Sequence, residues 1–254
     1  MKVIILAGGF GTRLSEYTEL VPKPMVEIGG IPIIWHIMQR YSSFGHKDFY
    51  IALGYKSDVV KKYFLNYCNS NSDLSIDFKN RKISYLNDND QDWKTTLIDT
   101  GNKTLTGGRL KRLEKYIDDD TFMFTYGDGL SNVNLDKLLD FHYSHGKIAT
   151  ITAVHPTARF GELILENEKV LSFKEKPQMN NGWINGGFFI FNKSIFSFLE
   201  NDECVLEGSP LEELAQKEEL MAFKHEGFWQ CMDTKRDLDY LNKLWYSNRI
   251  LWDE

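Results

Sequence analysis

The sequence predicts an α/β protein in which helices flank a mostly parallel mixed sheet, with an inserted region of antiparallel strands. In the first part of the chain, short apolar runs alternate with amphipathic segments. This alternation breaks between about residues 73 and 108, and the sequence is strand-rich from about 155 to 254. The chain of 254 residues is 42% hydrophobic and 26% charged, which suits one large core. We therefore expect a single domain over residues 1–254.

The N-terminal elements follow each other with short joints. The run "KVIILA" at residues 2–7 is continuous, apolar and rich in β-branched side chains, which is typical of a buried strand. "GGIPIIWHIMQRYSSFG" predicts a helix that begins near Pro32. "DFYIALGY" predicts a second strand, and "SDVVKKYFLNY" a second helix. A strand, helix, strand and helix in this order imply parallel strands with crossover helices.

Later segments are less regular. The pieces "LSIDF", "KISYL" and "TTLID" predict antiparallel strands of the insertion around a polar loop, "NDNDQD". "LKRLEKYI" and "NLDKLLDFHYSHG" predict helices, and "TFMFTY" and "ATITAV" predict buried strands. A closing helix is expected from about Lys235 to Trp245. The pair His142 and His145 is expected to face solvent rather than a metal, and Phe228 and Trp229 are expected in the core.

The first strand leads into a glycine-rich loop, "GGFGTRL", at residues 8–14. Glycines let backbone N–H groups approach a ligand that a Cβ would block, and Arg13 beside them favours an anionic ligand. The loop lacks the lysine of a P-loop and the third glycine of the dinucleotide fingerprint. A tight strand exit with no ligand would explain such a loop about as well, so other segments must decide.

Two further segments favour a phosphate site. "VPKPM" holds Lys23 between two prolines whose restricted backbones give the side chain a stiff support. "TYGDG" places Asp128 just after a buried strand, in the crevice where open α/β sheets bind ligands, as a candidate ligand of Mg²⁺. The ordinary alternatives are an exposed lysine in a rigid turn and a turn aspartate before a glycine.

The order of the segments resembles that of the sugar-1-phosphate nucleotidyltransferases, whose fold is Rossmann-like. In chain order they are "AGGFGTRL", "PKP", "YGDG", "KEKP", "INGGFF" and "CMDT", and they span nearly the whole sequence. "TGGRLKR" stands where thymidylyl- and uridylyl-transferring relatives carry a segment with glutamine and alanine. This narrows the resemblance to the glucose-1-phosphate cytidylyltransferase branch.

The resemblance implies transfer of a cytidylyl group from CTP to α-D-glucose 1-phosphate by in-line attack at the α-phosphorus, giving CDP-glucose and pyrophosphate. It also implies a Mg²⁺ cofactor, a homo-oligomer and a place in polysaccharide biosynthesis. Two alternatives stay open. One is an enzyme of the same fold that uses another nucleoside triphosphate or a modified hexose 1-phosphate. The other is a non-catalytic regulatory subunit that binds nucleotide sugars.

The resemblance assigns roles to residues of this sequence. Arg13, Lys23 and Asp128 would be catalytic, and Asp128 and Asp233 would hold Mg²⁺. The residues expected to bind the nucleotide are Leu6, Ala7, Gly8, Gly9, Phe10, Gly11, Thr12, Arg13, Lys23, Thr104, Arg109 and Gly127. The residues expected to bind the sugar phosphate are Gly161, Glu175, Lys176 and Asn185.

Charge and composition argue against several other classes. A net charge of −6 disfavours a nucleic-acid surface. No apolar run approaches the length of a membrane span and no signal segment precedes the first strand, so we expect a cytoplasmic protein without a membrane partner. The three cysteines, Cys68, Cys204 and Cys231, are odd in number and too widely spaced for a disulfide framework or a zinc site, and they are expected to be buried free thiols.

Overall fold

The computed structural model describes residues 1–86, 91–156, 162–174 and 182–253. The strands are β1 (Lys2–Ala7), β2 (Glu27–Ile28), β3 (Ile31–Pro32), β4 (Asp48–Leu53), β5 (Leu74–Asp77), β6 (Lys82–Tyr85), β7 (Lys94–Asp99), β8 (Thr121–Tyr126), β9 (Gly129–Ser131), β10 (Ala149–Val154), β11 (Glu162–Glu166), β12 (Lys169–Lys174), β13 (Ile184–Asn192), β14 (Leu220–His225) and β15 (Trp229–Cys231). The helices are α1 (Ser15–Thr18), α2 (Ile33–Ser43), α3 (Ser57–Asn71), α4 (Thr106–Arg112), α5 (Leu135–His145), α6 (Ser209–Gln216) and α7 (Lys235–Tyr246).

A seven-stranded mixed sheet forms the centre of the fold, in the order β14-β10-β13-β8-β1-β4-β7. β1 pairs in parallel with β4 and β8, β4 with β7, and β10 with β14. Only β13 within this sheet runs antiparallel to its neighbours, β8 and β10. The predicted mostly parallel mixed sheet is therefore confirmed. All six residues of β1 are buried, as expected of a strand with partners on both edges and helices on both faces.

Helices cover both faces of the sheet. Side chains alternate in direction along a strand, so Val3 and Ile5 of β1 lie in one core while Ile4 and Leu6 lie in the other. The first core is completed by apolar residues of α2, α5 and α7. The second is completed by those of α4 and α6. No helix in the described part of the chain is long and apolar enough to span a bilayer.

The prediction of three antiparallel strands in the insertion is correct for two of them. β5 and β6 form an antiparallel hairpin, as expected. "TTLID" was expected in the same antiparallel region, and this is wrong, because β7 pairs in parallel with β4 at the edge of the main sheet. A half-exposed edge strand shows the same alternation as a hairpin strand, so the pattern does not identify the partner. Residues 87–90 of the expected polar loop lie outside the described residues.

The prediction that the histidine pair on α5 faces solvent is wrong for His142 and only partly right for His145, which is half-buried. His142 is buried, and its Nδ1 lies 2.8 Å from the Thr150 hydroxyl while its Nε2 lies 3.0 Å from the Asn192 side-chain oxygen. The Nε2 of His145 lies 2.7 Å from the same Thr150 hydroxyl. The pair thus joins a polar network between α5 and the sheet. Among the described residues, it forms no group of metal-ligating atoms.

Candidate active site

A cavity of about 640 Å³ opens at the carboxyl ends of β1 and β8, a size usual for small-molecule sites. Every described residue that was predicted to bind nucleotide, sugar phosphate or metal lines it. These residues are Leu6, Ala7, Gly8, Gly9, Phe10, Gly11, Thr12, Arg13, Lys23, Thr104, Arg109, Gly127, Asp128, Asn185 and Asp233. Gly161, Glu175 and Lys176 lie outside the described residues. The roles assigned to all of these residues stay predictions.

The glycine loop turns sharply at Gly11. This residue has a φ of +63°, a backbone conformation that glycine adopts without a steric cost. Its carbonyl oxygen accepts hydrogen bonds from the Leu14 amide at 3.0 Å and from the Thr18 hydroxyl at 3.1 Å. The turn brings Arg13 to the mouth of the cavity, where its side chain is 70% exposed. Arg13 is therefore free to change partners when a ligand enters.

The guanidinium of Arg109 fixes the opposite wall. It is buried and donates to the Gly8 carbonyl oxygen at 2.9 Å, the Leu53 carbonyl oxygen at 3.1 Å and the Gly101 carbonyl oxygen at 2.7 Å. It also donates to the Thr100 hydroxyl at 2.7 Å. The acceptors follow or end β1, β4 and β7. Arg109 thereby ties the exits of three neighbouring parallel strands together, a role that the sequence did not indicate.

Lys23 is the centre of the charged end of the cavity. Its Nζ donates to Asp128 Oδ2 at 2.6 Å and to Asp233 Oδ1 at 2.5 Å, and its side chain is only 12% exposed. The second oxygen of Asp233 accepts from Arg13 Nη1 at 2.6 Å. Residues that are 105 and 210 positions from Lys23 in sequence therefore meet at one ammonium group.

The protonation states follow from this arrangement. Burial alone would lower the pKa of Lys23, but the charge of Asp128 and the hydrogen bonds to both carboxylates outweigh burial and raise it. Burial would likewise raise the pKa of Asp233, but its hydrogen bond to Lys23 and the charges of Lys23 and Arg13 hold the pKa below its usual value. At neutral pH the Lys23 ammonium is therefore charged, and it lies between the side chains of Asp128 and Asp233, which stabilise that charge.

Backbone pairing brings the two aspartates together. Asp128 precedes β9 and Asp233 follows β15, and these strands pair antiparallel with Gly129 opposite Cys231. The Met232 amide also donates to the Asp128 carbonyl oxygen at 2.8 Å. On the far side of Asp233, α7 begins with a reciprocal capping box between Thr234 and Asp237. The Asp233 amide donates to Asp237 Oδ2 at 3.1 Å, so the helix start holds Asp233 in place.

The aspartate pair also offers ligands for a metal ion. One oxygen each of Asp128 and Asp233 and the Cys231 sulfur all lie within 4.8 Å of one another. Cys231 is a free thiol, and burial together with the charge of Asp128 raises its pKa. Carboxylate oxygens are the ligands that a hard divalent cation prefers. The two aspartates therefore fit a hard divalent cation.

Three further residues that line the cavity, Tyr126, Glu207 and Trp229, were not predicted to bind a ligand. Tyr126 donates its hydroxyl to Glu207 and accepts from Asn185 Nδ2 at 3.3 Å. Trp229 was expected in the core; it packs partly against the core but also lines the cavity, and its Nε1 donates to the Gly186 carbonyl oxygen at 2.7 Å. The expectation for Trp229 was thus only half right.

Comparisons with known proteins show which proteins this chain resembles. The profile of the nucleotidyl transferase family matches residues 2–242. A glucose-1-phosphate cytidylyltransferase of Salmonella typhi is 50% identical over 253 residues, which are 99% of this chain and 98% of the relative. A mannose-1-phosphate guanyltransferase of Gibberella zeae is 30% identical, over 95% of this chain and 63% of the relative. The crystal structure of HddC from Yersinia pseudotuberculosis with GMP-PN, 24% identical, has the same fold, with a TM-score of 0.71 over 96% of this chain and 99% of that one.

The contact between Gly8 and Arg109 generates a stability prediction. A Cβ added at Gly8 would lie 2.2 Å from Arg109 Nη1, so Gly8→Ala must displace either the loop or the buried guanidinium. We expect Gly8→Ala to lower the free energy of unfolding by about 1–3 kcal/mol, as overpacking does. Urea denaturation of wild type and variant measures the difference.

Gly9 supplies the matched control. It is exposed, and a Cβ there would meet no atom within 4 Å. Gly9→Ala should therefore leave the free energy of unfolding within about 0.5 kcal/mol of wild type. Equal effects of the two substitutions would show that Arg109 does not constrain Gly8.

Proposed function

The chain belongs to the nucleotidyl transferase family, and from this premise we propose that it transfers a cytidylyl group from CTP to α-D-glucose 1-phosphate, with release of CDP-glucose and pyrophosphate. The observation that carries the proposal is the meeting of the glycine loop, Lys23, Asp128 and Asp233 in one cavity. The choice of CTP and glucose 1-phosphate is supported by the name of the Salmonella typhi relative, which is half identical over nearly the full length of both chains.

The reaction needs positioning and charge more than proton transfer. A phosphate monoester loses its second proton with a pKa of about 6, so an oxygen of glucose 1-phosphate is already ionised at neutral pH. That oxygen attacks the α-phosphorus of CTP, and the bond from the α-phosphorus to the oxygen bridging to the β-phosphorus breaks. The electron pair leaves with pyrophosphate. The described residues that line the cavity accordingly include no histidine to act as a base.

The cations at the charged end take separate parts. Lys23 is stiffly held and mostly buried, so it suits the space between the two phosphates that react. Arg13 is exposed, and its fork matches the β- and γ-phosphates that leave. Holding both substrates in line converts a bimolecular step into an effectively unimolecular one, which can be worth effective molarities of about 10⁵–10⁸ M.

Asp128 and Asp233 would hold Mg²⁺, whose preference for oxygen ligands they meet. When bound, the ion offsets negative charge on the phosphate oxygens. Lys23 now bonds to the same two carboxylates and shares their charge in the structure described. With that charge shared, Lys23 would be bound less strongly by the two carboxylates, and its ammonium could contact the substrates.

Substrate choice is tested directly by a panel that measures pyrophosphate release from CTP, UTP and dTTP, each paired with several sugar 1-phosphates. We expect the highest kcat/KM for CTP with glucose 1-phosphate. Equal kcat/KM values for CTP and UTP would contradict the cytidylyl assignment. Absence of pyrophosphate release with every pair would instead favour a regulatory subunit that only binds nucleotide sugars.

Lys23→Ala should lower kcat by about 10²–10³-fold, the size found for removal of one preorganised charge-stabilising group. KM should change less, because the interaction strengthens as the reacting oxygens converge. Lys23→Arg should restore little, since a guanidinium is wider than the point charge that two carboxylates now surround. Steady-state kinetics on the purified variants measure these changes.

Lys62→Ala is the matched control for Lys23. Lys62 is an exposed lysine on α3 whose ion-pair partner among the described residues is Asp58, four residues earlier, at 3.3 Å. Its removal should leave kcat near the wild-type value. A near-normal kcat of Lys23→Ala, with an unchanged melting temperature, would show that Lys23 is an ordinary turn residue without a catalytic role.

Activity should require Mg²⁺, and EDTA should abolish it until Mg²⁺ is added in excess. Asp128→Asn keeps the size of the side chain and removes the charge, so we expect a loss of about 10²-fold or more in kcat/KM, in line with the several kcal/mol that a metal ion supplies. Pyrophosphate release measures the loss of activity, and thermal melting checks that the variant stays folded. Full activity in EDTA would overturn the metal assignment.

A further inference from the structure

Glu207 presents a carboxylate to a cavity that should receive two phosphorylated substrates. It precedes α6 and lines the cavity together with Lys23, Tyr126 and Asn185. A carboxylate repels phosphate, so this side chain cannot serve the phosphate end of either substrate. On these substrates, the groups that can bond to Glu207 are uncharged donors, such as hydroxyl or amino groups.

The carboxylate is held from both sides. Oε2 accepts from the Thr106 hydroxyl at 2.6 Å, and Oε1 accepts from the Tyr126 hydroxyl. Thr106 is fixed in turn, because its oxygen accepts from the Leu206 amide at 2.9 Å. An ionised carboxylate has about four acceptor sites, so each oxygen keeps one for a ligand. Glu207 is exposed to the cavity, and its orientation is set before a ligand binds.

The position in the sheet indicates which substrate is contacted. The glycine loop follows β1, and Arg109 bonds at the exits of β1, β4 and β7, which is the side assigned to the nucleotide. Tyr126 ends β8 and Asn185 is the second residue of β13, on the other side of β1 in the strand order. Glu207 is linked to this second side through Tyr126, whose hydroxyl also accepts from Asn185.

We propose that Glu207 is a specificity-determining residue that accepts hydrogen bonds from ring hydroxyls of the hexose 1-phosphate. The proposal rests on the proposed function, since it names a contact within the same substrate site. Neighbouring hydroxyls of a hexose are paired donors and match the two oxygens of one carboxylate. A site built around such bonds rejects an analogue that lacks the hydroxyl, because its own polar groups are then left unpaired.

The test compares α-D-glucose 1-phosphate with its 2-, 3-, 4- and 6-deoxy analogues in wild type and in Glu207→Gln, with CTP as the second substrate. In wild type, at least one analogue should lose about 10- to 100-fold in kcat/KM, as expected for a bond to a charged group. In Glu207→Gln that penalty should fall severalfold or more, and KM for glucose 1-phosphate should rise while KM for CTP stays the same. Glu203→Gln, an exposed glutamate on the same loop outside the cavity, should keep the wild-type pattern.

Tyr126→Phe separates direct contact from an indirect effect. It removes the hydroxyl between Glu207 and Asn185 but leaves the carboxylate, so the penalty for the deoxy analogue should persist. Loss of the penalty in Tyr126→Phe as well as in Glu207→Gln would mean that Glu207 only positions Tyr126, and would overturn the proposal. So would a rise in KM for CTP alone, or equal penalties in wild type and Glu207→Gln.

The same experiment separates failure of this proposal from failure of the proposed function. Wild type that is inactive with glucose 1-phosphate would overturn the proposed function, and the Glu207 contact with it. An active wild type with an unchanged Glu207→Gln pattern would overturn only the contact.

Discussion

The bonds from Lys23 to two aspartates are the interaction on which the site depends. Two carboxylates within hydrogen-bond reach of one atom would repel each other, and the ammonium between them offsets that repulsion. With Arg13 added, the cluster holds two cations and two anions and is formally neutral. This cluster therefore contributes little net positive charge to attract a polyanion, on a protein whose net charge is −6. A divalent cation that takes up the carboxylate charge would leave both basic side chains for phosphates.

The site combines a fixed part and an adaptable part. Arg109 is buried, and its guanidinium bonds to backbone oxygens at three strand exits, so the wall beside Gly8 has little freedom. Arg13 at the mouth is 70% exposed, and its pair with Asp233 is of the kind that contributes at most about 1 kcal/mol. The rigid arginine preserves the shape of the cavity, while the exposed one can exchange its carboxylate partner for a ligand at small cost.

The sequence predicted the parts of the site that lie in short segments. Each of three features is visible within a few residues: the glycine loop, Lys23 between its prolines and Asp128 after its strand. Asp233 was predicted from the order of the segments along the chain, through the family resemblance. The edge strand β7 was placed with the wrong partners, because an alternating pattern does not say which strand lies beside it. The bond from Arg109 to Gly8 spans 101 residues and that from Tyr126 to Glu207 spans 81, and no local pattern specifies such pairs.

The charges in the cavity are sorted by position. Arg13, Lys23 and the two aspartates lie where phosphates and a cation would meet, while Glu207 lies beside the uncharged hydroxyls of Thr106 and Tyr126. Hydrogen bonds from neutral donors stabilise a carboxylate near phosphates, and these two hydroxyls bond to Glu207 before any substrate arrives. The same sorting would orient a hexose 1-phosphate. Its anionic end would be attracted by Lys23 and repelled by Glu207, so the sugar ring would lie towards the carboxylate and the phosphate towards the nucleotide.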